Sequence, residues 1–231
     1  MNRSRGFTLI ELMIVIAIIA IIAAIAIPGI LSATRAANER NASGSLKQMG
    51  SIEVTFRSSD SDQNALNDFY TADIKGMYFI AIGTPTPVQI RMVEISVAQA
   101  DADPDAVGGG YTNPAATILA QSPKAGYWYR VLENYEEPKA TFTAYGVRNT
   151  DRFGFIAYPS GYPSSGRLAF ITNEGGTMFK RDPGSNTAVW DGTGPAAATN
   201  DPDEALTAAY DDFPIDPFDP TNASGAWSKL D

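Results

Sequence analysis

The sequence predicts an α+β protein in which an N-terminal helical region precedes an antiparallel β-sheet head. Two patterns lead to this prediction. An apolar block, residues 7–27, is followed by apolar side chains that recur every three or four positions, as on an amphipathic helix. Between residues 126 and 180, short segments rich in aromatic and β-branched residues alternate with turn residues, which is typical of neighbouring strands.

The apolar block is long enough to cross a membrane. Its one charged side chain is Glu11, and about twenty residues in a helix span the hydrocarbon core of about 30 Å. Residues 1–6 before it carry two arginines and no acid, which places them on the cytoplasmic side. A cleavable secretory signal ending near Ala24–Ala26 and an uncleaved signal anchor are two simple interpretations.

The motif Gly6-Phe7-Thr8-Leu9-Ile10-Glu11, followed by an apolar helix and Pro28, resembles the class III signal of type IV pilins and type II secretion pseudopilins. The resemblance implies that a prepilin peptidase cleaves between Gly6 and Phe7, and that the new amino group of Phe7 is N-methylated. It also implies one long bent helix over residues 7–58, packed on a pilin-like head. Residues 7–27 would then be transmembrane before assembly and form the filament core afterwards.

Glu11 has two candidate roles. In a helical bundle that excludes water, its carboxylate would offset the α-ammonium of Phe7 in a neighbouring subunit. Within one subunit it would instead lie over the first turn of its own helix, where the positive end of the helix dipole favours an anion. The family resemblance favours the intersubunit pair, so we predict that Glu11 is an assembly residue.

Pro28 and Gly29 predict a kink, because proline removes a backbone donor and glycine weakens a helix. The helical pattern then resumes with alternating charged and apolar residues. Its apolar stripe is predicted to pack on the head and consists of Leu46, Met49, Ile52 and Phe56.

The head is predicted to begin after the polar run 58–62. Short strands are expected at 77–82 and 88–97, and an exposed loop at 98–113. A clearer antiparallel meander is expected at 126–132, 140–145, 152–158, 167–172 and 177–180. Asn173–Gly176 is predicted to form the hairpin turn between the last two strands. Residues 155–159 and 166–182 are similar to the terminal strands of pilin-like heads.

Composition limits the chemistry. The chain has no cysteine and no histidine, which excludes thiol chemistry and the commonest general base, so we expect no enzyme activity. The net charge is −9, which disfavours nucleic-acid binding. Residues 183–231 hold nine acids and one cation. No cofactor is expected, although the acids are a candidate calcium site, the alternative being a solvated surface with aromatic anchors. The candidate ligands are seven of these nine acids: Asp201, Asp203, Glu204, Asp211, Asp212, Asp216 and Asp219. The aromatic anchors are Trp190, Tyr210, Phe213, Phe218 and Trp227.

The sequence therefore predicts a leader at residues 1–6, an N-terminal helix at 7–58 and a β-rich head at 59–231 with an acidic C-terminal segment. The predicted function is that of a structural pilus subunit, anchored in the inner membrane as a precursor and then part of an extracellular filament. Its predicted partners are identical subunits, prepilin peptidase, the inner-membrane assembly machinery and membrane lipid. The alternatives are a periplasmic type II secretion pseudopilin and a membrane-anchored binding protein such as an adhesin.

Overall fold

The computed structural model describes residues 7–82, 88–102, 120–132, 134–137, 141–144, 148–182, 212–213 and 227–230. Three helices lie in these ranges: α1 (Leu9–Ser59), α2 (Ile74–Phe79) and α3 (Ile95–Gln99). The strands before the main sheet are β1 (Phe69–Tyr70), β2 (Ala81–Ile82) and β3 (Val88–Gln89). They are followed by β4 (Tyr127–Val131), β5 (Asn134–Glu137), β6 (Thr141–Ala144), β7 (Arg148–Asn149), β8 (Gly154–Pro159), β9 (Ala169–Asn173), β10 (Met178–Arg181), β11 (Asp212–Phe213) and β12 (Ser228–Lys229). The predicted α+β architecture, a long N-terminal helix with antiparallel sheets, is confirmed.

Helix α1 is bounded by recognisable end signals. Thr8 is the N-cap residue, and its side-chain oxygen accepts a hydrogen bond from the backbone of Glu11. At the other end Asp60 adopts the left-handed conformation, with φ 44° and ψ 56°, and its N–H bonds to the carbonyl of Phe56. The helix covers 51 residues and continues through Pro28. The prediction of a kink at Pro28 and Gly29 stays a prediction.

The second half of α1 packs on the head as predicted. Its buried residues recur at the three- and four-residue spacing of one helix face and are Ala42, Ser45, Leu46, Met49, Glu53 and Phe56. Ile52 is partly buried against the same core. Fully burying each large apolar side chain contributes roughly 1.5–3 kcal/mol, so this stripe anchors the helix to the head.

The main sheet has five antiparallel strands in the order β12-β10-β9-β8-β4. Its two faces alternate along each strand, so each face contributes to a different apolar cluster. One face, including Tyr127, Tyr129 and Phe155, belongs to the cluster that contains the buried stripe of α1. The opposite face, including Trp128 and Ile156, packs with Trp227. Trp227 is therefore an anchor of the C-terminal segment, while the side chains of Trp190, Tyr210, Phe213 and Phe218 lie outside the described residues.

The hairpin between β9 and β10 confirms the predicted turn at Asn173–Gly176. Gly176 has a φ of +69° and donates its N–H to the carbonyl of Asn173 at 2.9 Å. The Asn173 side chain accepts from the N–H of Gly175 at 3.0 Å, which is the local bond that makes asparagine a turn residue.

Three strand predictions were wrong in part. Residues 77–82 contain the end of α2 before β2, because Asp73 caps a short helix by accepting from the N–H of Gly76. Residues 88–97 contain β3 and then the start of α3. The predicted meander is also interrupted: β4 pairs directly with β8, whereas β6 pairs with β5 in a separate three-stranded sheet. Strand pairing depends on distant partners that local patterns do not specify.

Candidate functional site

The candidate functional site is the exposed first half of α1. All its large apolar side chains up to Leu31 are between 49% and 77% exposed, and Phe7 before it is 89% exposed. In the described part of the chain, α1 is the one helix long and apolar enough to cross a membrane. Its most apolar 18-residue window has a mean hydropathy of 3.1 and is not buried against the protein. So large an apolar surface requires cover by lipid or by other helices.

A capping box closes the start of this helix. Glu11 Oε2 accepts two hydrogen bonds from Thr8, one from its backbone N–H and one from Oγ1, each at 2.8 Å. In return the N–H of Glu11 donates to Thr8 Oγ1 at 3.3 Å. The arrangement satisfies N–H groups that have no partner within the helix and holds the carboxylate at the positive end of the helix dipole. This is the geometry of the intrasubunit role considered for Glu11.

Pro28 lies inside the helix and has no backbone N–H to donate to the preceding turn. Two hydroxyl groups just beyond it bond to backbone carbonyls of the preceding turn: Ser32 Oγ to Gly29 O and Thr34 Oγ1 to Ile30 O, both at 2.9 Å. Such bonds compete for carbonyls that accept within the helix and are associated with bending. They lie next to the residues for which the sequence predicts a kink.

Two polar contacts fix the head to α1 where the exposed half ends. Asn38 Nδ2 donates to the carbonyl of Ser165 at 2.7 Å. Glu39 Oε1 accepts from the backbone N–H of Arg167 at 2.9 Å. Both contacts engage the segment between β8 and β9, so the first residues of the packed half of α1 set the position of the head along the helix.

A buried charge cluster lies at the far end of the packed half. Arg148 forms ion pairs with Asp62 and with Asp68, the latter at 3.5 Å, and lies over the rings of Phe56 and Tyr70. It therefore ties β7 to the loop after α1. Cation–π contacts of this kind strengthen as the site is desolvated.

Glu53, which lies on α1, brings a third carboxyl group to this cluster. It is fully buried, and its Oε2 accepts from the backbone N–H of Tyr70 at 2.9 Å. Burial raises the pKa of Glu53 to about 8, against the opposing effects of the Tyr70 hydrogen bond and of Arg148. The neutral form therefore predominates at neutral pH.

Of the predicted site residues, the structure brings Phe7 and Glu11 to the same helix start, while Pro28 and Gly29 lie farther along the exposed half. Gly6 and the calcium candidates lie outside the described residues, except for the backbone of Asp212. Within the described ranges, no group of three or more acidic side chains is placed to hold a metal ion. Thr8 was not singled out from the sequence, although Thr8-x-x-Glu11 has the spacing of a capping box.

Comparison with known families gives a match at the start of the exposed helix. Residues 1–27 match the model described as "Prokaryotic N-terminal methylation motif". The chain begins with a prepilin-type motif. Together with the apolar helix, this match supports a single-pass, membrane-anchored precursor of the type IV pilin or pseudopilin kind, which implies processing by prepilin peptidase and assembly into a pilus-like polymer.

The head has a separate match. Residues 98–207 match the model described as "Protein of unknown function (DUF2950)", a range that includes β4 to β10. This description assigns no activity to the head, so the similarity of residues 155–159 and 166–182 to pilin-like heads stays a prediction. No curated protein matches the chain.

Proposed function

We propose that the protein is a structural subunit of a type IV pilus and has no enzymatic activity. In this proposal the precursor is inserted in the inner membrane, cleaved between Gly6 and Phe7 and methylated on Phe7. It then polymerises with identical subunits through the first half of α1, with the aid of inner-membrane assembly machinery. The acidic head carries no nucleic-acid-binding role and no cofactor.

The observation that supports this proposal most is the division of one helix into two surfaces. The first half carries the prepilin-type motif and is exposed along its length, whereas the second half, from Ala42 to Phe56, is buried against the head. A helix that only anchored a head in lipid would need the exposed apolar half alone. A subunit that transmits axial load from a helical core to a surface head needs both, because the head must be fixed to the polymerising helix.

A pseudopilin of a type II secretion system shares the same N-terminal motif and is the alternative that the experiment must separate. Surface filaments are sheared from cells, and the sheared fraction and the membrane fraction are analysed by mass spectrometry of the protein's N-terminus. The proposal expects the chain in the sheared filaments, with a methylated Phe7 as its first residue. An intact Met1 or a start after Ala26 contradicts processing.

Deletion of the gene gives the second measurement. If filaments persist without the protein while secretion of extracellular proteins fails, the pseudopilin alternative replaces the pilus proposal. A loss of surface filaments with normal secretion supports the pilus.

A further inference from the structure

The loop after α1, residues 60–68, has acids or an amide at its first, third, fifth and ninth positions: Asp60, Asp62, Asn64 and Asp68. Calcium-binding loops of the EF-hand type place oxygen ligands at these spacings, directly after a helix. Helix α1 ends at Ser59, so this loop also follows a helix without a break. Two positions differ: such loops carry glycine at the sixth position and glutamate at the twelfth, where this chain has Ala65 and Thr71. The spacing identifies the type of loop, and the structure identifies its cation.

The backbone of the loop turns as a cation-binding loop requires. Ala65 has a φ of 64°, in the left-handed region that such loops ordinarily reserve for glycine. The Asp60 carboxylate stabilises this turn, since Oδ1 accepts from the N–H of Asn64 and Oδ2 from the N–H of Ala65, both at 3.1 Å. The carboxylates of Asp62 and Asp68 lie on the same side of the turn, where Asn64 Nδ2 donates to both, at 3.0 and 3.2 Å.

A cation lies at these two carboxylates, and it belongs to the protein. Arg148 Nη1 forms an ion pair with Asp62 Oδ2 and another with Asp68 Oδ1, the latter at 3.5 Å. The side chains of Asp62 and Asp68 are only 6% and 3% exposed, so water compensates little of their charge. The guanidinium therefore supplies positive charge at the place where a calcium loop would hold its ion.

The guanidinium does not use all the oxygens of this cluster. Within the described part of the chain, the buried atoms Asp62 Oδ1 and Glu53 Oε1 have no hydrogen-bond partner. Most buried polar atoms have one. A calcium ion takes about six to eight oxygen ligands, whereas Arg148 Nη1 contacts the oxygens of two carboxylates. The cluster therefore holds more acceptors than its present cation needs.

We propose that residues 60–68 form a calcium-type loop whose cation is the guanidinium of Arg148. In this arrangement β7 carries the positive charge to the loop, and the junction between α1 and the head is held without a divalent ion. Removal of the guanidinium leaves Asp62 and Asp68 without a counter-charge and opens the loop to a hard cation, for which its spacing matches Ca²⁺. This inference goes beyond the proposed function and does not depend on cleavage or filament assembly.

The test measures thermal unfolding of the full-length chain in detergent, once in EGTA and once in calcium chloride. The salt is used at about 10 mM, above the Kd of about 0.1–1 mM typical of extracellular calcium modules. The calcium-induced rise in the Tm of Arg148→Met, minus that of the wild type, should be about 5 °C. Taking the difference cancels calcium binding elsewhere on the acidic chain. Arg40→Met, at an exposed position of α1, is the matched control and should respond as the wild type does.

Two further variants show whether the loop is the binding site. Asp62→Asn added to Arg148→Met should abolish the extra calcium response, because it removes the carboxylate at the third position of the loop. Asp62→Asn alone should leave the calcium response of the wild type unchanged, because Arg148 already occupies the loop.

Terbium luminescence gives a second readout, which does not depend on stability. Tb³⁺ binds at calcium sites and is sensitised by a nearby tyrosine, and the ring centroid of Tyr70 lies 5.4 Å from the guanidinium carbon of Arg148. Arg148→Met should give tyrosine-sensitised emission above that of the wild type. Excess calcium should remove this additional emission, and so should Asp62→Asn.

Equal calcium responses and equal terbium emission in Arg148→Met and the wild type would overturn the inference, because the loop would then not be of the calcium type. A reduced calcium response on Asp62→Asn alone would also overturn it, because calcium would then bind beside Arg148. If Arg148→Met is unfolded in EGTA, calcium should restore its native tryptophan fluorescence, and failure to restore it overturns the inference as well.

Discussion

The two halves of α1 have nearly opposite environments although they form one continuous helix. Up to Leu31 the large apolar side chains face outward, and from Ala42 to Phe56 an apolar stripe is buried in the head. Each half also contains a glutamate that accepts from a backbone N–H: Glu11 from Thr8 and Glu53 from Tyr70. The comparison teaches that similar local chemistry occurs on an exposed surface in one half, which we propose to be intermolecular, and in the buried core of the head in the other.

The largest expected effect is a loss of filament assembly on removal of the Glu11 carboxylate. Glu11→Ala should be cleaved normally yet assemble poorly, with a loss of filament of at least about ten-fold, because an unpaired buried charge costs several kcal/mol. The reason is that the Phe7 ammonium loses its carboxylate in an apolar surrounding. Immunoblots of sheared filaments and of membranes measure both steps. A normal filament yield would remove every charge-pairing role from Glu11.

A matched pair of truncations tests the division of the helix directly. Leu46→Ala, in the fully buried stripe, should lower the free energy of unfolding of the head by about 2–5 kcal/mol. Ile18→Ala, at a side chain 52% exposed, should change it by less than about 0.5 kcal/mol. Denaturant unfolding in detergent, followed by tryptophan fluorescence, compares the two. Equal losses would mean that the halves are not distinct.

Arg148→Met tests whether the buried cluster holds the loop after α1 to the head. Asp62 and Asp68 would lose their shared cation, and the rings of Phe56 and Tyr70 would lose a charged contact. Because Arg148 is partly exposed, we expect a loss of about 2 kcal/mol, below the range for a fully buried pair. Arg40→Met, at an exposed position of α1, is the control and should have little effect.

The smallest expected effect, taken per pH unit, is a pH dependence centred on Glu53. The pKa of Glu53 in the folded state is raised above its ordinary value, so folding favours its protonated form. Its contribution is complete below the unfolded pKa and is lost as the pH rises through about 8. Glu53→Gln keeps a neutral side chain at every pH. As the pH rises from the unfolded pKa to about 8, the Tm of the variant minus that of the wild type should therefore increase by about 3 °C per pH unit.

Thermal unfolding of both proteins from pH 5 to pH 9 measures this difference. A constant gap between the two Tm values across the range would show that Glu53 does not titrate differently in the folded state. Glu94→Gln, at a side chain that is 63% exposed, supplies the comparison.

The local sequence determined those elements whose formation depends only on residues close together in the chain. Thr8, Glu11 and the apolar run specify a helix start, the stripe from Leu46 to Phe56 specifies its buried face, and Asn173–Gly176 specifies a turn. These signals work because helix periodicity and turn geometry are set within a few residues. The N-terminal motif also carried the coarse class of the protein.

Tertiary structure decided the rest. The sequence pattern could not show that β4 pairs with β8, or that residues 77–79 end a short helix, because pairing and burial depend on residues far apart in the chain. It also could not bring Arg148 to Glu53, Asp62 and Asp68, since three chain segments meet there only after folding. The apolar half of α1 was predictable because its run of apolar residues is visible in the sequence itself. The polar contacts of the packed half were not predictable, because their partners lie on distant segments of the head.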